Sequence, residues 1–227
     1  MPRSSPPVPR KPLVVATTNP GKLQEFRALL AGLPFDIRSL GELGIAPPEE
    51  SGTSFLENAL LKARHAAAAG NAAAIADDSG LEVDALGGAP GIYSARYAGP
   101  NADDALNNAK LLRALRGVPR ERRRARYRCA LVFVVGPADP APLIAEGVWE
   151  GLILESPKGE GGFGYDPYFW LPDLELTAAQ LDMADKNRRS HRGIALRSLL
   201  AQLAAREPSP GCAQPGLEAQ PVGPAVR

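Results

Sequence analysis

Cysteine is scarce in this chain of 227 residues: Cys129 sits in an apolar run and Cys212 in a proline-rich tail, without metal-ligand or redox spacing. Both are expected as free thiols, and no disulfide framework replaces a core. Long apolar runs are also missing. The longest, residues 129–135, is far short of the roughly 20 residues that span a bilayer, which excludes a helical membrane protein. The basic start is followed only by a short apolar stretch at 13–16, too little for the hydrophobic region of a secretory signal, so the expected address is cytoplasmic. A charge excess is missing too, with Lys+Arg 26 against Asp+Glu 25. No global field would hold the protein on nucleic acid or an anionic membrane, and any anion must be bound locally.

What is present is enough apolar sequence, 44%, for a full core in one domain. Residues 1–12 and 207–227 are rich in Pro, Gly, Ser and Ala and have little to bury; they read as disordered extensions around a domain at 13–206. Inside it, β-rich runs alternate with helical patterns, which predicts a layered α/β fold. Strands are expected at 13–17, 35–40, 73–76, 126–135 and 143–154, and helices at 22–30, 55–69, 102–115 and 190–205. Ser54 and Glu57 fit a capping box for the second helix.

Several constellations carry chemistry. Thr17, Thr18, Asn19, Pro20, Gly21 and Lys22 join a strand to a helix, where backbone N–H groups, the helix dipole and a lysine can cradle phosphate. The glycine spacing is not that of a Walker A loop. Asp77-Asp78-Ser79-Gly80 is expected at the carboxyl end of the third strand, where open α/β sheets place ligands. Such carboxylates, with Glu49 or Glu50 from a loop, suit Mg²⁺ completed by water and substrate phosphates. Asn58, Lys62 and His65 form a polar stripe on one helix face; Lys62 is retained as a phosphate contact and His65 is not.

The run 159–164 matches GxGxxG in letters only, because Tyr165-Asp166-Pro167 continues as turn or extended structure rather than as a helix. It reads instead as a loop in which Phe163 or Tyr165 lies against a flat base. Lys186, His191 and Arg192 gather donors around Ser190, a cap for the last helix. The arginine-rich run 120–128 reads as a solvated hairpin or helix end, and nucleic acid is not an expected partner.

Taken in order, the motifs at 16–22, 54–59, 76–81, 87–97, 162–167 and 190–192 resemble the inosine-triphosphate pyrophosphatase family, also called Ham1-like, over most of 13–203. The resemblance implies an elongated central mixed sheet flanked by helices, with a nucleotide cleft between two lobes, usually in a homodimer. It implies hydrolysis of ITP, dITP and XTP to monophosphate and pyrophosphate with Mg²⁺. By the same resemblance, residues 17–22 bind phosphate, Asp78 is proton acceptor and metal ligand, and Lys62 is a catalytic-site lysine. Ser79, Phe163, Gly164, Tyr165, Asp166, Lys186, His191 and Arg192 fall to substrate. Glu49 is preferred over Glu50 as the second metal ligand. A pyrophosphatase for modified pyrimidine or methylated nucleotides, a nucleotide sensor and an RNA-binding protein remain as other readings, separated by substrate panel, turnover and salt-sensitive RNA affinity.

Overall fold

The computed structural model describes residues 10–206. The expected C-terminal extension, with Cys212, lies outside the described residues, as do residues 1–9. Lys11 and Pro12 belong to the first strand, which begins two residues before the expected start at 13.

Seven strands form one sheet in the order β2-β1-β3-β4-β5-β6-β7. They are β1 (Lys11–Val15), β2 (Phe35–Ser39), β3 (Ala73–Val83), β4 (Arg124–Val134), β5 (Leu143–Ile153), β6 (Phe169–Leu171) and β7 (Leu176–Thr177). Pairings of β1 with β2 and β3 are parallel and the rest antiparallel, which makes the sheet mixed, as expected. The helices are α1 (Pro20–Leu29), α2 (Phe55–Gly70), α3 (Asp104–Ala114), α4 (Met183–Arg189) and α5 (His191–Arg206). None of the described helices is long and apolar enough to cross a membrane.

Local chemistry fixes the elements that frame the cleft. Asn19 caps α1 by accepting from Lys22 N, and Pro20 occupies the first turn, where its missing N–H costs nothing. Ser54 caps α2 through Glu57 N, but the Glu57 carboxylate reaches Thr53 N at 2.6 Å, one residue earlier than a standard capping box. Ser190 separates α4 from α5 and accepts from Gly193 N at 3.2 Å.

Apolar burial falls into two territories. Toward the β1 side, α1 and α5 cover one sheet face around Phe26, Leu131 and Leu199, and α2 covers the other with Ala59, Ala63, Ala66 and Ala67. At the other end of the long β3-β4-β5 ribbon, Leu81, Tyr127, Trp149, Tyr165 and Phe169 pack with Leu111 of α3. The cleft lies where these two bodies meet. Gly147 of β5 lets α5 approach, since a Cβ there would overlap the His191 carbonyl oxygen.

The main departure from expectation is β3. It does not stop before the acidic pair but runs 11 residues to Val83, pairing Asp77 with Leu131 and Asp78 with Ala130. The ladder with β4 carries the strand through the pair, and cations on both faces of the sheet compensate the two carboxylates.

Candidate active site

Strand alternation sends Asp77 and Asp78 to opposite faces. On the α1 and α5 face, Asp77 meets Arg192 at 2.8 Å and Lys22 at 3.1 Å. On the α2 face, Lys62 Nζ contacts Asp78 Oδ1 at 2.7 Å and Glu50 Oε1 at 3.0 Å, and Asn58 Nδ2 donates to Asp78 Oδ2 at 3.3 Å. Arg96 Nη1 donates to the other oxygen of Glu50 at 2.9 Å. Glu50, expected second to Glu49, is therefore the glutamate turned toward Asp78; Glu49 is exposed on the rim.

The two carboxylates differ electrostatically. Burial alone would lift the Asp77 pKa, but the charges of Arg192, Lys22 and Lys62 outweigh it and hold Asp77 well below the usual range. For Asp78 burial wins over the Lys62 charge, and its pKa is raised. Lys62 is desolvated as well, yet Asp78, Asp77 and Glu50 raise its pKa, so it stays an ammonium.

A second network lies toward the C-terminal segments. Lys186 donates to Asp166 at 2.6 Å and pairs with Glu25 at 3.0 Å; Arg192 is bonded to Glu25, Asp77 and Ser79. Asp166 also accepts from Tyr127 OH and Phe163 N. Arg192 and Asp166, expected as substrate contacts, line the cleft and also tie its wall together: Arg192 is 1% exposed and bonded to Asp77, Glu25 and Ser79. Tyr165, expected as a possible base platform, is packed in the core with its hydroxyl on Ser94 O, whereas Phe163 is half-buried beside Gly21 with Lys186 Nζ 4.6 Å from its ring centroid.

Glu25 and Arg96 were not among the sequence candidates. Glu25 stands one helical turn after Lys22, a spacing that places both on one face of α1. For Arg96 no spacing signal exists. The arginine-rich run mostly forms β4, with Arg126 and Arg128 facing Asp84, Glu150, Glu82 and Glu146.

His191 lies parallel to Tyr127, ring centroids 4.8 Å apart, and its Nδ1 has no hydrogen-bond partner among the described residues. Burial, then the Arg192 and Lys186 charges, holds its pKa well below the usual 6.5. The unfolded chain takes up a proton below that pH which the folded chain refuses. Stability from neutral His191 is therefore full above pH 6.5 and is lost as pH falls toward the folded value. Urea midpoints between mildly alkaline and mildly acidic buffer should fall further for the parent than for His191→Gln; equal falls would contradict a neutral buried imidazole.

Two cavities share a wall made by Asn19, Lys22, Glu50 and Ala95. Asp78, Ser79, Phe163, Gly164, Lys186, His191 and Arg192 line one of them. Thr17, Thr18, Lys62 and Asp77 line the other, a channel of about 500 Å³. The phosphate cradle, the acidic pair, the aromatic loop and the C-terminal cations expected from sequence thus open onto one cleft. Pro20 and Gly21 build its edge; a Cβ on Gly21 would lie 2.6 Å from Phe163 Cδ1.

The donor set suits a hard divalent cation. Asp78 and Glu50 bring two carboxylates to one place, bridged by Lys62, with Arg96 on the outer side of Glu50. Two carboxylates with phosphate and water are what Mg²⁺ commonly takes, and no cage of three His, Cys, Asp or Glu side chains forms among the described residues.

Known proteins share this arrangement of chain. A model described as the Ham1 family matches residues 13–202. The dITP/XTP pyrophosphatase of Xanthomonas oryzae is 58% identical over 195 residues, covering 86% of this chain and 98% of that one. The protein of the same name from Thioalkalivibrio sulfidiphilus is 56% identical, covering 86% and 99%. The solved structure of a HAM1 protein from Coxiella burnetii superposes with a TM-score of 0.78 at 45% identity, covering 86% of this chain and 99% of that one. A match that spans the sheet, both bodies and every cleft segment has one reading: this chain belongs to the Ham1 family.

Proposed function

We propose that the protein hydrolyses non-canonical purine nucleoside triphosphates, dITP, XTP and ITP, to the monophosphate and pyrophosphate, with Mg²⁺. The observation that carries this reading is the single cleft in which the Thr17–Lys22 cradle, the Asp78–Lys62–Glu50 cluster and Phe163 meet. The names of the relatives, dITP/XTP pyrophosphatases, support the substrate class. The ordinary setting for such an enzyme is the cytoplasm, and by family resemblance it works as a homodimer.

The triphosphate lies along the channel, with loop amides, Lys22 and Lys62 around its oxygens. Asp78 and Glu50 would hold Mg²⁺, which would supply neutralisation of phosphate charge. Asp78 orients a water and accepts its proton; burial makes it a stronger base than an exposed aspartate. The water oxygen bonds to the α-phosphorus, the bond from that phosphorus to the α,β-bridging oxygen breaks, and pyrophosphate departs with the electron pair. Lys22 and Lys62 stabilise the charge that moves onto it.

Base choice follows from donors. Hypoxanthine and xanthine carry an oxygen where adenine carries an amino group, so a donor from neutral His191 or backbone accepts the first two and repels adenine. Guanine shares that oxygen and differs by its exocyclic amino group, which a second donor facing it rejects. Phe163 offers the ring for stacking.

A panel of ITP, XTP, dITP, GTP, ATP and dUTP, with pyrophosphate and orthophosphate followed separately in Mg²⁺, tests the reading. Pyrophosphate from the first three, at kcat/KM at least about a hundredfold above GTP and ATP, is the expected result. Preference for dUTP, or orthophosphate as the product, would overturn it.

A further inference from the structure

Arg96 closes the 3-10 segment Gly91–Arg96 and faces the phosphate channel across from the cradle. Its guanidinium carbon lies 5.4 Å from the Tyr93 ring centroid, and Nη1 donates to Glu50 Oε2 at 2.9 Å. A cation held over a ring at this distance is attracted to it, which limits where the guanidinium sits relative to Glu50.

Glu50 needs such direction because its backbone supplies little. It stands in the stretch 45–52, which has no helix or strand. The nearest anchors are Ala46 O, which meets His65 Nε2 at 2.8 Å, and Gly52 N, which donates to Asn58 Oδ1 at 2.8 Å. Between these anchors the carboxylate is gripped by side chains: Lys62 on Oε1 and Arg96 on Oε2. Lys62 is shared with Asp78 at 2.7 Å. Arg96, from the 3-10 segment, holds Oε2, so that Oε1 stays on the Lys62 ammonium that Glu50 shares with Asp78.

We propose that Arg96 is a positioning residue for the cation site: by holding Glu50 Oε2, it keeps the Glu50 carboxylate facing Asp78 so that both present oxygens to one divalent ion. The inference rests on the reading of Glu50 and Asp78 as the cation ligands. Carboxylates that ligate metals depend on hydrogen-bonding partners of this kind, whose loss weakens metal affinity about 10- to 100-fold. Lysine carries the charge but neither the plane nor the stacking, so it replaces arginine only in part.

Mn²⁺ binding is measured by electron paramagnetic resonance on the full chain with a non-hydrolysable α,β-methylene analogue of dITP, for the parent, Arg96→Gln, Arg96→Lys and Glu50→Gln. Mg²⁺ activation of pyrophosphate release and the nucleotide KM at saturating Mg²⁺ are measured alongside. Expected are a 10- to 100-fold loss of Mn²⁺ affinity in Arg96→Gln, a matching rise in the Mg²⁺ needed for half activation, and a nucleotide KM within about twofold of the parent. Arg96→Lys should fall between the two. Arg96 is one-third exposed, so the thermal midpoint of Arg96→Gln should stay close to the parent.

Parent-like Mn²⁺ affinity in Arg96→Gln with weakened affinity in Glu50→Gln would overturn the role of Arg96 alone. Parent-like affinity in both would remove Glu50 from the metal and sink the reading beneath it. A raised nucleotide KM at saturating Mg²⁺ with unchanged Mn²⁺ affinity would make Arg96 a phosphate contact instead.

Discussion

Asp78→Asn is expected to fold like the parent and to release pyrophosphate from dITP about 10²- to 10⁴-fold more slowly, the range for loss of a general base. Two features of the site set this expectation. Burial raises the Asp78 pKa despite Lys62, so folding disfavours the charged carboxylate, which offsets part of the cost of losing the Lys62 ion pair, and Glu50 still reaches Lys62 at 3.0 Å. The side chain nevertheless faces the channel, bonded at one oxygen to Lys62 at 2.7 Å and at the other to Asn58 at 3.3 Å. Asparagine keeps the shape but turns its NH2 toward one of these two donors, so one hydrogen bond is lost, and it neither takes a proton from water nor supplies charge to a cation. Circular dichroism should superpose on the parent, with thermal unfolding cooperative and somewhat earlier, while kcat falls. A variant within threefold of parental kcat, on the scale of the 10² minimum above, would remove Asp78 from the chemistry.

Arg192→Met is expected to act on the fold first. Arg192 is 1% exposed and bonded to Asp77, Glu25 and Ser79, joining α5, β3 and α1 in one buried network. Removing one partner of a buried ion pair costs about 3–5 kcal/mol, because the other charge stays buried. Lys22 still reaches Asp77 at 3.1 Å and Lys186 still reaches Glu25 at 3.0 Å. The lower end, about 3 kcal/mol, is therefore expected. For a chain of this size that lowers Tm by roughly 6–12 °C. Adding Asp77→Asn should recover part of the loss, since neighbours in one network are not additive. A stability change under about 1 kcal/mol would mean that Arg192 is replaceable by apolar packing.

Much of this was legible in the sequence, for reasons that can be traced to single positions. Asn19-Pro20-Gly21 announces a strand end and a helix start because the asparagine cap and the proline satisfy first-turn geometry locally. Ser54 marks α2 in the same way. Cleft residues supplied by such local signals, Thr17 to Lys22 and Lys62, are where they were expected.

What was not legible depends on partners distant in sequence. Asp77-Asp78-Ser79-Gly80 is expected at a strand's end, yet β3 continues through it along β4, and the residue that compensates the buried Asp77, Arg192, lies 115 residues away along the chain. Tyr165 and Phe163 have the same aromatic character two residues apart, and only tertiary packing sends the first into the core and leaves the second at the cleft. Glu49 and Glu50 are chemically identical, and only tertiary structure shows that Glu50 is the one that meets Lys62 and Arg96. The short β6, β7 and α4 carry too few residues for a period to emerge.

Hydrolysis of dITP in oxygen-18 water tests the central account most directly, since it locates the phosphorus attacked beside Asp78. Mass spectrometry should find one labelled oxygen in the monophosphate and none in the pyrophosphate. Label in pyrophosphate, or in orthophosphate, would place the attack at another phosphorus and contradict the alignment of triphosphate, water and Asp78 in this cleft.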